Sequence, residues 1–578
     1  MIAWLGFAGA TIDGCTWRRL VSAAGGFMAP AHDRFDAEGD GWKVHAAKVR
    51  RGEPDPLHRS DDGCISLADA HQHPQFQDWE VPSDLPSALV RLDPQRQSVR
   101  LLRDRLGHQP LVWTRLQSGV LIASREFVLL ALPGLDKRFD DEYLAAHLAL
   151  VDPPRGRTLY RSIHCVDPGQ RVDIDLSGTR RTELSFDPDT AAFAMPDDEA
   201  ASEFGHLLAT SVSRNVVGAG RIGLTLSGGL DSSSIAALLP PGIRSTALAV
   251  TYGTGFGGSI DERALATELC ETLGMACTTF DSSEPAPTLD PTRQGIDPGY
   301  PFVNPYHPLK TRLYEALAAN QVDVVLTGHY ADHWNPGPVR WLAHALKNRR
   351  WDVVFWVYRD VIRSRGWRGL WREPGWRHLT RRLMRWPVSP LDADWMQPLW
   401  RSYAREAFAA DIARFAQWPS PERASYVLGT YSAIDAACEG VHSDRYGFQM
   451  RHPYRDWRLI RFALSLPAYQ HVRGSVDKWI ARRAVSRVLP ARWAERPKQG
   501  SLLPLFHEHI HGRESAAFAS AVIDSESIWG SLVDPDQVRA RLAAGQPTRR
   551  QDFLLFRLAC LGAWIRGLEV GAHDAPDR

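Results

Sequence analysis

Residues 227–232 read Ser-Gly-Gly-Leu-Asp-Ser, and this short run holds residue types suited to binding phosphate. Glycines let a backbone turn tightly and bring N–H groups close to an anion. The hydroxyls of Ser227 and Ser232 can donate to phosphate oxygens, and a helix beginning here adds the positive end of its dipole. Asp231 is acidic, so it suits a phosphate site only when a cation lies between them. The loop lacks the lysine of a mononucleotide P-loop.

The flanking residues predict elements that would hold this loop. Residues 222–226 favour a short buried strand and 233–239 a helix, so the loop joins a strand to a helix. Further along we predict a strand at 246–252, helices at 261–273 and 308–319, and a strand at 322–327. Strands that alternate with helices indicate a parallel sheet covered on both faces. The predicted fold class of this half is therefore α/β.

The first 185 residues have a different pattern. Short strand-like runs broken by turns predominate. We predict a hairpin across 111–124 and loop at 51–86. Residues 185–199, with two prolines and five acids, are interpreted as a linker. We predict two domains, 1–190 and 200–578.

Composition narrows the class of protein. The 578 residues carry 68 Lys plus Arg and 67 Asp plus Glu, a net charge of +1, which disfavours a globally basic nucleic-acid binder. The seven cysteines are scattered without a CxxC pair, as in proteins of a reducing compartment. With no secretory signal and no apolar stretch near the ~20 residues that span a bilayer, we expect a cytoplasmic protein with no membrane partner.

An unusual stretch, the Arg/Trp-rich insert at 335–420, interrupts the second domain. Nine of the 21 tryptophans lie between 335 and 402, interleaved with arginines. Tryptophans at such spacing are more often helix core than binding surface. Arginine and tryptophan together could instead grip an extended peptide by stacking and by contacts to carbonyls or carboxylates. Single-stranded nucleic acid is a weaker alternative.

Beyond composition, the chain resembles the asparagine-synthetase-like branch of the ATP pyrophosphatases. The loop at 227–232 is similar to their pyrophosphate loop, and four later segments, 261–264, 324–332, 447–456 and 496–500, are similar to their DERA-, VVLSGxGADE-, GxExRxPFLD- and RxKxG-type segments. In the N-terminal half, 103–110, 119–132 and 158–169 resemble a glutaminase-like domain. The resemblance implies an N-terminal glutaminase-like (Ntn) α+β domain and a C-terminal parallel-sheet synthetase domain with a helical extension.

The resemblance also implies a reaction and a set of site residues. A substrate carboxylate attacks the α-phosphate of ATP, pyrophosphate leaves, and an amine then displaces AMP to form an amide. Asp231 and Asp332 would hold Mg²⁺, and Lys498 would stabilise the charged transition state. The nucleotide-binding residues implied are Leu226, Ser227, Gly228, Gly229, Asp231, Ser232, Val250 and Gly328.

Two departures from the family pattern bear on this expectation. Position 2 is Ile where the glutaminases use a cysteine, and Cys15 lies far from it, so we expect no glutamine hydrolysis. Gln449 and His333 replace two family acids, and an amide cannot take a proton from an attacking ammonium. Candidates for a general base are Glu439 first, then Asp444 and Tyr446.

Among relatives without the cysteine, lasso-peptide cyclases are the closest resemblance, carried by the insert and by its Pro…Trp run at 390–400. They join the N-terminal amine of a ribosomal peptide to an Asp or Glu side chain. The resemblance implies a precursor peptide as substrate and, as partners, a leader peptidase and a leader-binding protein. A small-molecule amide or β-lactam synthetase, and a scaffold that binds ATP or peptide without turnover, remain alternatives.

Overall fold

The structure is a computed structural model of the chain. It describes residues 2–9, 12–26, 33–39, 42–48, 57–59, 64–70, 87–175, 178–253, 262–281, 299–301, 304, 306–335, 340–373, 375–376, 393–496, 506–507, 509–513, 515–543 and 549–573.

The N-terminal part contains two antiparallel six-stranded sheets. The first has the order β10-β8-β9-β1-β3-β2 and the second β12-β11-β7-β6-β5-β4. Their strands are β1 (Ile2–Gly9), β2 (Asp33–Gly39), β3 (Trp42–Lys48), β4 (Leu57–Arg59), β5 (Ile65–Ala70), β6 (Ser87–Asp93), β7 (Ser98–Arg103), β8 (Val112–Leu116), β9 (Gly119–Ala123), β10 (His164–Cys165), β11 (Gln170–Asp175) and β12 (Gly178–Glu183). Strands β8 and β9 form the predicted hairpin. Apolar side chains of both sheets, including Val44, Leu101 and Trp113, fill one buried core.

One prediction for this part was wrong. Residues 57–59 and 65–70, within the stretch predicted to be loop, form the paired strands β4 and β5, with β4 at the edge of the sheet. Short strands between prolines and glycines have too few residues for a periodic signal. The residues interpreted as a linker are packed against the C-terminal part, since Phe186 is buried against Trp457, with ring centroids 5.9 Å apart. A helix already begins at Asp197, with three acids in its first turn that suit the helix dipole.

The C-terminal part is built on a five-stranded sheet whose strands are all parallel. Its order is β15-β14-β13-β16-β17. The strands are β13 (Ile222–Thr225), β14 (Leu248–Gly253), β15 (Ala276–Asp281), β16 (Val324–Thr327) and β17 (Gln449–Arg451). The three predicted strands are confirmed, whereas β15 and β17 were missed because they are short or polar. The α/β fold class is confirmed, with an antiparallel glutaminase-like part before a parallel-sheet part.

Helices cover this sheet and extend beyond it. Those of the N-terminal part are α1 (Gly14–Gly26), α2 (Glu126–Leu130) and α3 (Asp141–Ala149). The helices that follow are α4 (Asp197–Asn215), α5 (Leu230–Leu238), α6 (Pro241–Arg244), α7 (Arg263–Leu273), α8 (His307–Ala319), α9 (Trp341–Lys347), α10 (Trp351–Arg365), α11 (Arg368–Arg372), α12 (Pro398–Arg414), α13 (Pro421–Leu428), α14 (Thr430–Arg445), α15 (Trp457–Ser465), α16 (Ala468–His471), α17 (Trp479–Val485), α18 (Ala491–Ala494), α19 (Ser515–Ile523), α20 (Glu526–Trp529), α21 (Pro535–Ala543) and α22 (Arg549–His573). Across the described ranges, no helix is both long and apolar enough to cross a membrane.

Two of the segments that resembled known motifs, 103–110 and 447–456, contact each other across the two parts. The buried guanidinium of Arg455 donates to the carbonyl of Leu106 at 2.6 Å and to that of Ser432 at 2.9 Å. In return, a ring nitrogen of His108 lies 3.0 Å from the carbonyl oxygen of Arg455. The antiparallel part is therefore joined by buried hydrogen bonds to the segment that follows β17.

A glycine at this junction gives a testable prediction. Gly107 has a φ of +63°, and a Cβ there would lie 2.9 Å from Pro168 Cγ and 3.0 Å from Ala433 Cβ. We expect Gly107→Ala to lower the free energy of unfolding by about 1–3 kcal/mol, measured by thermal denaturation. Gly134→Ala is the matched control, because Gly134 shares a positive φ but has nothing within 4 Å of its would-be Cβ. Equal losses in the two variants would contradict the proposed junction.

Candidate active site

The loop at 227–232 leaves β13 and enters α5, as predicted. Gly228 has a φ of +73°, which favours glycine, and the amide of Gly229 donates to the hydroxyl of Ser227 at 3.3 Å. The hydroxyls of Ser227 and Ser232 lie 3.2 Å apart. No side chain caps the start of α5. The open helix N-terminus and the two hydroxyls together suit a phosphate group.

A second loop packs closely against the first. It follows β16, the strand next to β13, and begins at Gly328. A Cβ on Gly328 would lie 2.8 Å from the backbone nitrogen of Ser232 and 3.2 Å from Asp231 Cβ. In the sheet, β14 and then β15 lie on one side of β13, whereas β16 and then β17 lie on the other. The two loops follow the neighbouring strands β13 and β16, so they flank the point where the strand order reverses. Open parallel sheets bind ligands at such a point.

The charged centre of this site is Lys478, which sequence reasoning missed. Its Nζ lies 2.5 Å from a carboxylate oxygen of Asp231 and 2.6 Å from one of Asp332. The Lys478 side chain is 4% exposed, against 23% for Asp231 and 50% for Asp332. The two predicted metal ligands are therefore brought together around one ammonium. The only sequence signal was a lysine directly before the amphipathic helix α17.

Electrostatics keep this lysine charged. Burial by itself lowers the pKa of Lys478, but Asp231 and Asp332 outweigh burial and raise the pKa above its usual value. A cation held between two carboxylates at the edge of a phosphate-binding loop can stabilise negative charge that develops on a phosphate.

The donor set at this position also fits Mg²⁺. Two neighbouring carboxylates, one of them half exposed, offer the hard oxygen ligands that Mg²⁺ takes together with phosphate oxygens, and the ion would bind beside the ammonium rather than at its position. Asp231 and Asp332 would hold the ion, as predicted from the sequence. The role of these two residues as Mg²⁺ ligands stays a prediction. The structure shows that both side chains contact Lys478.

Two other residues predicted to bind the nucleotide, Leu226 and Val250, are buried. The Leu226 amide donates to the Val250 carbonyl at 3.0 Å, so the end of β13 is joined to β14 beneath the loop. Lys498 lies outside the described residues. Nearby Arg496 is described, and it pairs with Glu262 at 3.1 Å.

The predicted base Glu439 lies in a buried network of hydrogen bonds and charge. Its carboxylate pairs with Lys310 and accepts from the hydroxyl of Tyr314 at 2.8 Å and from Asn304 at 3.3 Å. Burial raises the pKa of Glu439, but Lys310 and His329 lower it to about 2. A carboxylate with so low a pKa is a weak base. Its role as general base stays a prediction.

A different acid–base pair, His329 and Asp435, lies beside the second loop. His329 directly follows Gly328, and its Nε2 lies 3.5 Å from a carboxylate oxygen of Asp435. The same carboxylate accepts from the hydroxyl of Tyr330 at 3.1 Å. Burial raises the pKa of Asp435, yet the contact with His329 outweighs it and the pKa falls below its usual value. An ionised carboxylate behind an imidazole strengthens that imidazole as a base.

Nearby residues that depart from the family pattern have structural contacts. The amide oxygen of Gln449 accepts from Arg451 Nε at 2.9 Å inside β17. His333 packs edge-on against Tyr330, with ring centroids 4.9 Å apart. Burial, then His329, lowers the pKa of His333 to about 4, so this ring is neutral near pH 7. Of the two other candidate bases, Asp444 is buried, with 2% of its surface exposed. The ring of Tyr446 packs on the ring of Phe448.

The Arg/Trp-rich insert contacts the segment that carries Lys478. Trp356 of α10 packs on Trp479, with ring centroids 5.7 Å apart. Asp360 of the same helix accepts from the backbone amide of Ser475 at 3.1 Å and from its hydroxyl at 3.0 Å. The insert therefore helps to hold the turn just before the lysine.

The tryptophans of the insert are split between core and surface. Trp341 is buried, whereas Trp351, Trp367 and Trp371 are 64%, 72% and 73% exposed. The adjacent Phe355 is 73% exposed as well. The expectation that such tryptophans are mainly core therefore holds for only part of the segment, since these exposed aromatic side chains lie on α10 and on or just before α11.

A substitution tests the link between insert and site. We expect Asp360→Ala to lower kcat for AMP formation roughly tenfold with KM for ATP little changed, because small displacements of a catalytic group are costly. Steady-state kinetics measures it. Asp352→Asn is the control, since Asp352 lies on the same helix but pairs with Arg350 at 2.8 Å. A KM effect without a kcat effect in Asp360→Ala would contradict a positioning role.

Comparison with known proteins identifies the class that this fold and site define. The family model described as "Asparagine synthase" matches residues 203–566, and the model described as "Glutamine amidotransferase domain" matches 87–184. The first match covers more than half of the chain, so the chain belongs to the asparagine synthase family. Members of this family are ATP-dependent enzymes that form amide bonds.

Individual curated proteins and one solved structure also match parts of the chain. A putative asparagine synthetase [glutamine-hydrolyzing] of Mycobacterium tuberculosis (strain ATCC 25618 / H37Rv) is 26% identical over 467 residues, 75% of this chain and 68% of its own. Asparagine synthetase [glutamine-hydrolyzing] 2 of Bacillus subtilis (strain 168) is 26% identical over 163 residues, 25% of this chain and 21% of its own. A B. subtilis glutamine phosphoribosylpyrophosphate amidotransferase structure is 11% identical, with a TM-score of 0.21, covering 50% of this chain and 83% of its own.

Proposed function

We propose that this chain is an AMP-forming macrolactam synthetase. It would adenylate an Asp or Glu side chain of a ribosomal precursor peptide and close an isopeptide ring with the peptide's N-terminal amine, as in lasso peptide biosynthesis. The observation that carries the ligase half is Lys478 between Asp231 and Asp332 at the phosphate loop.

In the first half-reaction, a carboxylate oxygen of the peptide attacks the α-phosphorus of ATP and the bond to pyrophosphate breaks. The amides at 227–232 and the hydroxyls of Ser227 and Ser232 bind the pyrophosphate oxygens. Lys478 stabilises the charge that builds up at the α-phosphate. Mg²⁺, when bound, supplies positive charge for the leaving pyrophosphate.

In the second half-reaction, the peptide amine attacks the acyl carbon, AMP leaves, and the attacking nitrogen must lose a proton. His329 is the base we propose, because its imidazole directly follows Gly328 at the second loop and has the Asp435 carboxylate behind it. Asp435 then stabilises the imidazolium. The pair takes over the function that Gln449 cannot perform.

Support for a peptide rather than a small substrate comes from the insert. Trp351, Phe355, Trp367 and Trp371 present large aromatic surfaces to solvent. Arginines occur at short intervals along the same two helices. Exposed aromatic and arginine side chains are the residue types that dominate peptide-binding energy. Ring closure needs such contacts, since the peptide must be held folded while the amine reaches the acyl group.

The test is direct. The full chain is incubated with ATP, Mg²⁺ and a candidate core peptide, and AMP, pyrophosphate and peptide mass are followed. We expect one AMP and one pyrophosphate for each peptide that loses one water. Trp367→Ala combined with Trp371→Ala should raise KM for the peptide while leaving KM for ATP unchanged.

Other outcomes would replace this proposal. Pyrophosphate exchange with small carboxylates only would identify a small-molecule amide synthetase. An absence of AMP in every condition, with Asp231→Ala indistinguishable from the original chain, would identify a non-catalytic scaffold. By the same family resemblance we propose a leader peptidase and a leader-binding protein as partners, to be tested by adding each to the assay.

A further inference from the structure

Far along the chain from the residues of the phosphate site, two histidines converge on one buried carboxylate. His507 Nδ1 lies 2.7 Å and His511 Nε2 lies 3.1 Å from the same oxygen of Asp552. Asp552 is fully buried in α22, while His507 is 22% and His511 35% exposed. One ligand atom from each of the three residues lies within 4.8 Å of the other two.

This spacing is close to what a metal ion requires. Zn²⁺ takes imidazole nitrogens and carboxylate oxygens at about 2.0–2.1 Å in a tetrahedron, which separates neighbouring ligand atoms by roughly 3.3 Å. The rings of His507 and His511, four positions apart in the chain, face the same carboxylate oxygen. The His507 and His511 rings indeed lie nearly parallel, at an interplanar angle of 17°.

The buried carboxylate of Asp552 also favours a cation beside it. Among the described residues, the two histidines are the only ion-pair partners within 4 Å of Asp552. The second carboxylate oxygen, Oδ1, is buried and accepts no hydrogen bond from the described part of the chain. A buried carboxylate is costly unless a positive charge or a metal compensates it. A divalent ion at the point where the three side chains converge would supply that compensation.

We propose that His507, His511 and Asp552 form a binding site for a divalent transition metal, with Zn²⁺ as the best fit. Three protein ligands leave a fourth position for water, which the partly exposed side of His511 provides. The nitrogen-rich donor set favours Zn²⁺ over Mg²⁺, which prefers oxygen. This site is thus separate from the one proposed for Mg²⁺.

The ion would tie together two distant segments. His511 lies in the π-helical turn His509–Arg513, His507 precedes that turn by two residues, and Asp552 lies on the long C-terminal helix. Phe506 beside the site stacks on Phe553, with ring centroids 4.7 Å apart. Metal binding would therefore stabilise this contact and raise the temperature of unfolding.

The test uses the full chain and Zn²⁺ alone. After loading and exhaustive dialysis, we expect one equivalent of zinc per chain by elemental analysis. Cobalt(II) loading should give the intense visible bands of tetrahedral coordination. His511→Ala, which alters a partly exposed side chain, should lose the zinc and the zinc-dependent rise in melting temperature. His206→Ala, a change at an exposed histidine on α4, is the control and should retain both.

Two results would overturn the proposal. One is a chain that folds but holds no zinc or cobalt, which would leave the direct contacts of the two histidines as what stabilises the Asp552 carboxylate. The other is zinc content in the double variant His507→Ala with His511→Ala equal to that of the original chain. Should Asp552→Asn fail to fold, the cobalt spectrum of the unaltered chain still decides.

Discussion

Lys478→Ala is expected to lower kcat for AMP and pyrophosphate formation by about 10²–10³-fold, the typical effect of removing one charge-stabilising group from an active site. The Lys478 ammonium is buried between Asp231 and Asp332, which hold it charged and in place. The substitution takes this ammonium away from the two carboxylates and from the phosphate beside them. Rapid-quench assays with radiolabelled ATP measure the chemical step directly.

Two further variants sharpen this prediction. Lys478→Arg keeps the charge but not the compact ammonium, so we expect it to recover only a small part of the activity. Lys137→Ala, a change at an exposed lysine of the N-terminal part, should leave kcat unchanged. A normal rate in Lys478→Ala combined with a large loss in Lys498→Ala would show that the sequence motif, rather than the observed geometry, identifies the lysine.

The pair Asp231→Asn and Asp332→Asn should give the second largest effect. Each change removes a proposed ligand for Mg²⁺ and one of the two partners that keep Lys478 charged. We expect a loss of about 10²-fold or more in kcat for each single variant and a higher Mg²⁺ concentration for half-maximal rate. The double variant should be little worse than the worse single one, because residues that act as a unit are not additive.

The control for this pair is Asp536→Asn, since the Asp536 side chain is 91% exposed and pairs only with the surface residue Arg539 in the described structure. It should match the unaltered chain in rate and in Mg²⁺ dependence. Single losses that multiply in the double variant would mean that the two carboxylates act independently, which contradicts a shared cation.

Much of this site could be predicted because its signals are local. A glycine-rich turn between a buried strand and a helix is encoded within about ten residues, and so is the strand that leads to Gly328 and Asp332. Both acids were predicted at the carboxyl ends of parallel strands, where an open sheet binds ligands, whereas the order of the strands came from the structure. The loop at 227–232 and the α/β class were therefore within reach of the sequence alone.

What the sequence could not provide depends on distance along the chain. Lys478 is 247 residues from Asp231, and only tertiary packing decides which lysine meets a given carboxylate. The same holds for the insert, where burial depends on which helix packs against Trp341 or Trp371. Local periodicity determines helices and strands, whereas the free energy of a buried charge depends on neighbours that the fold alone brings together.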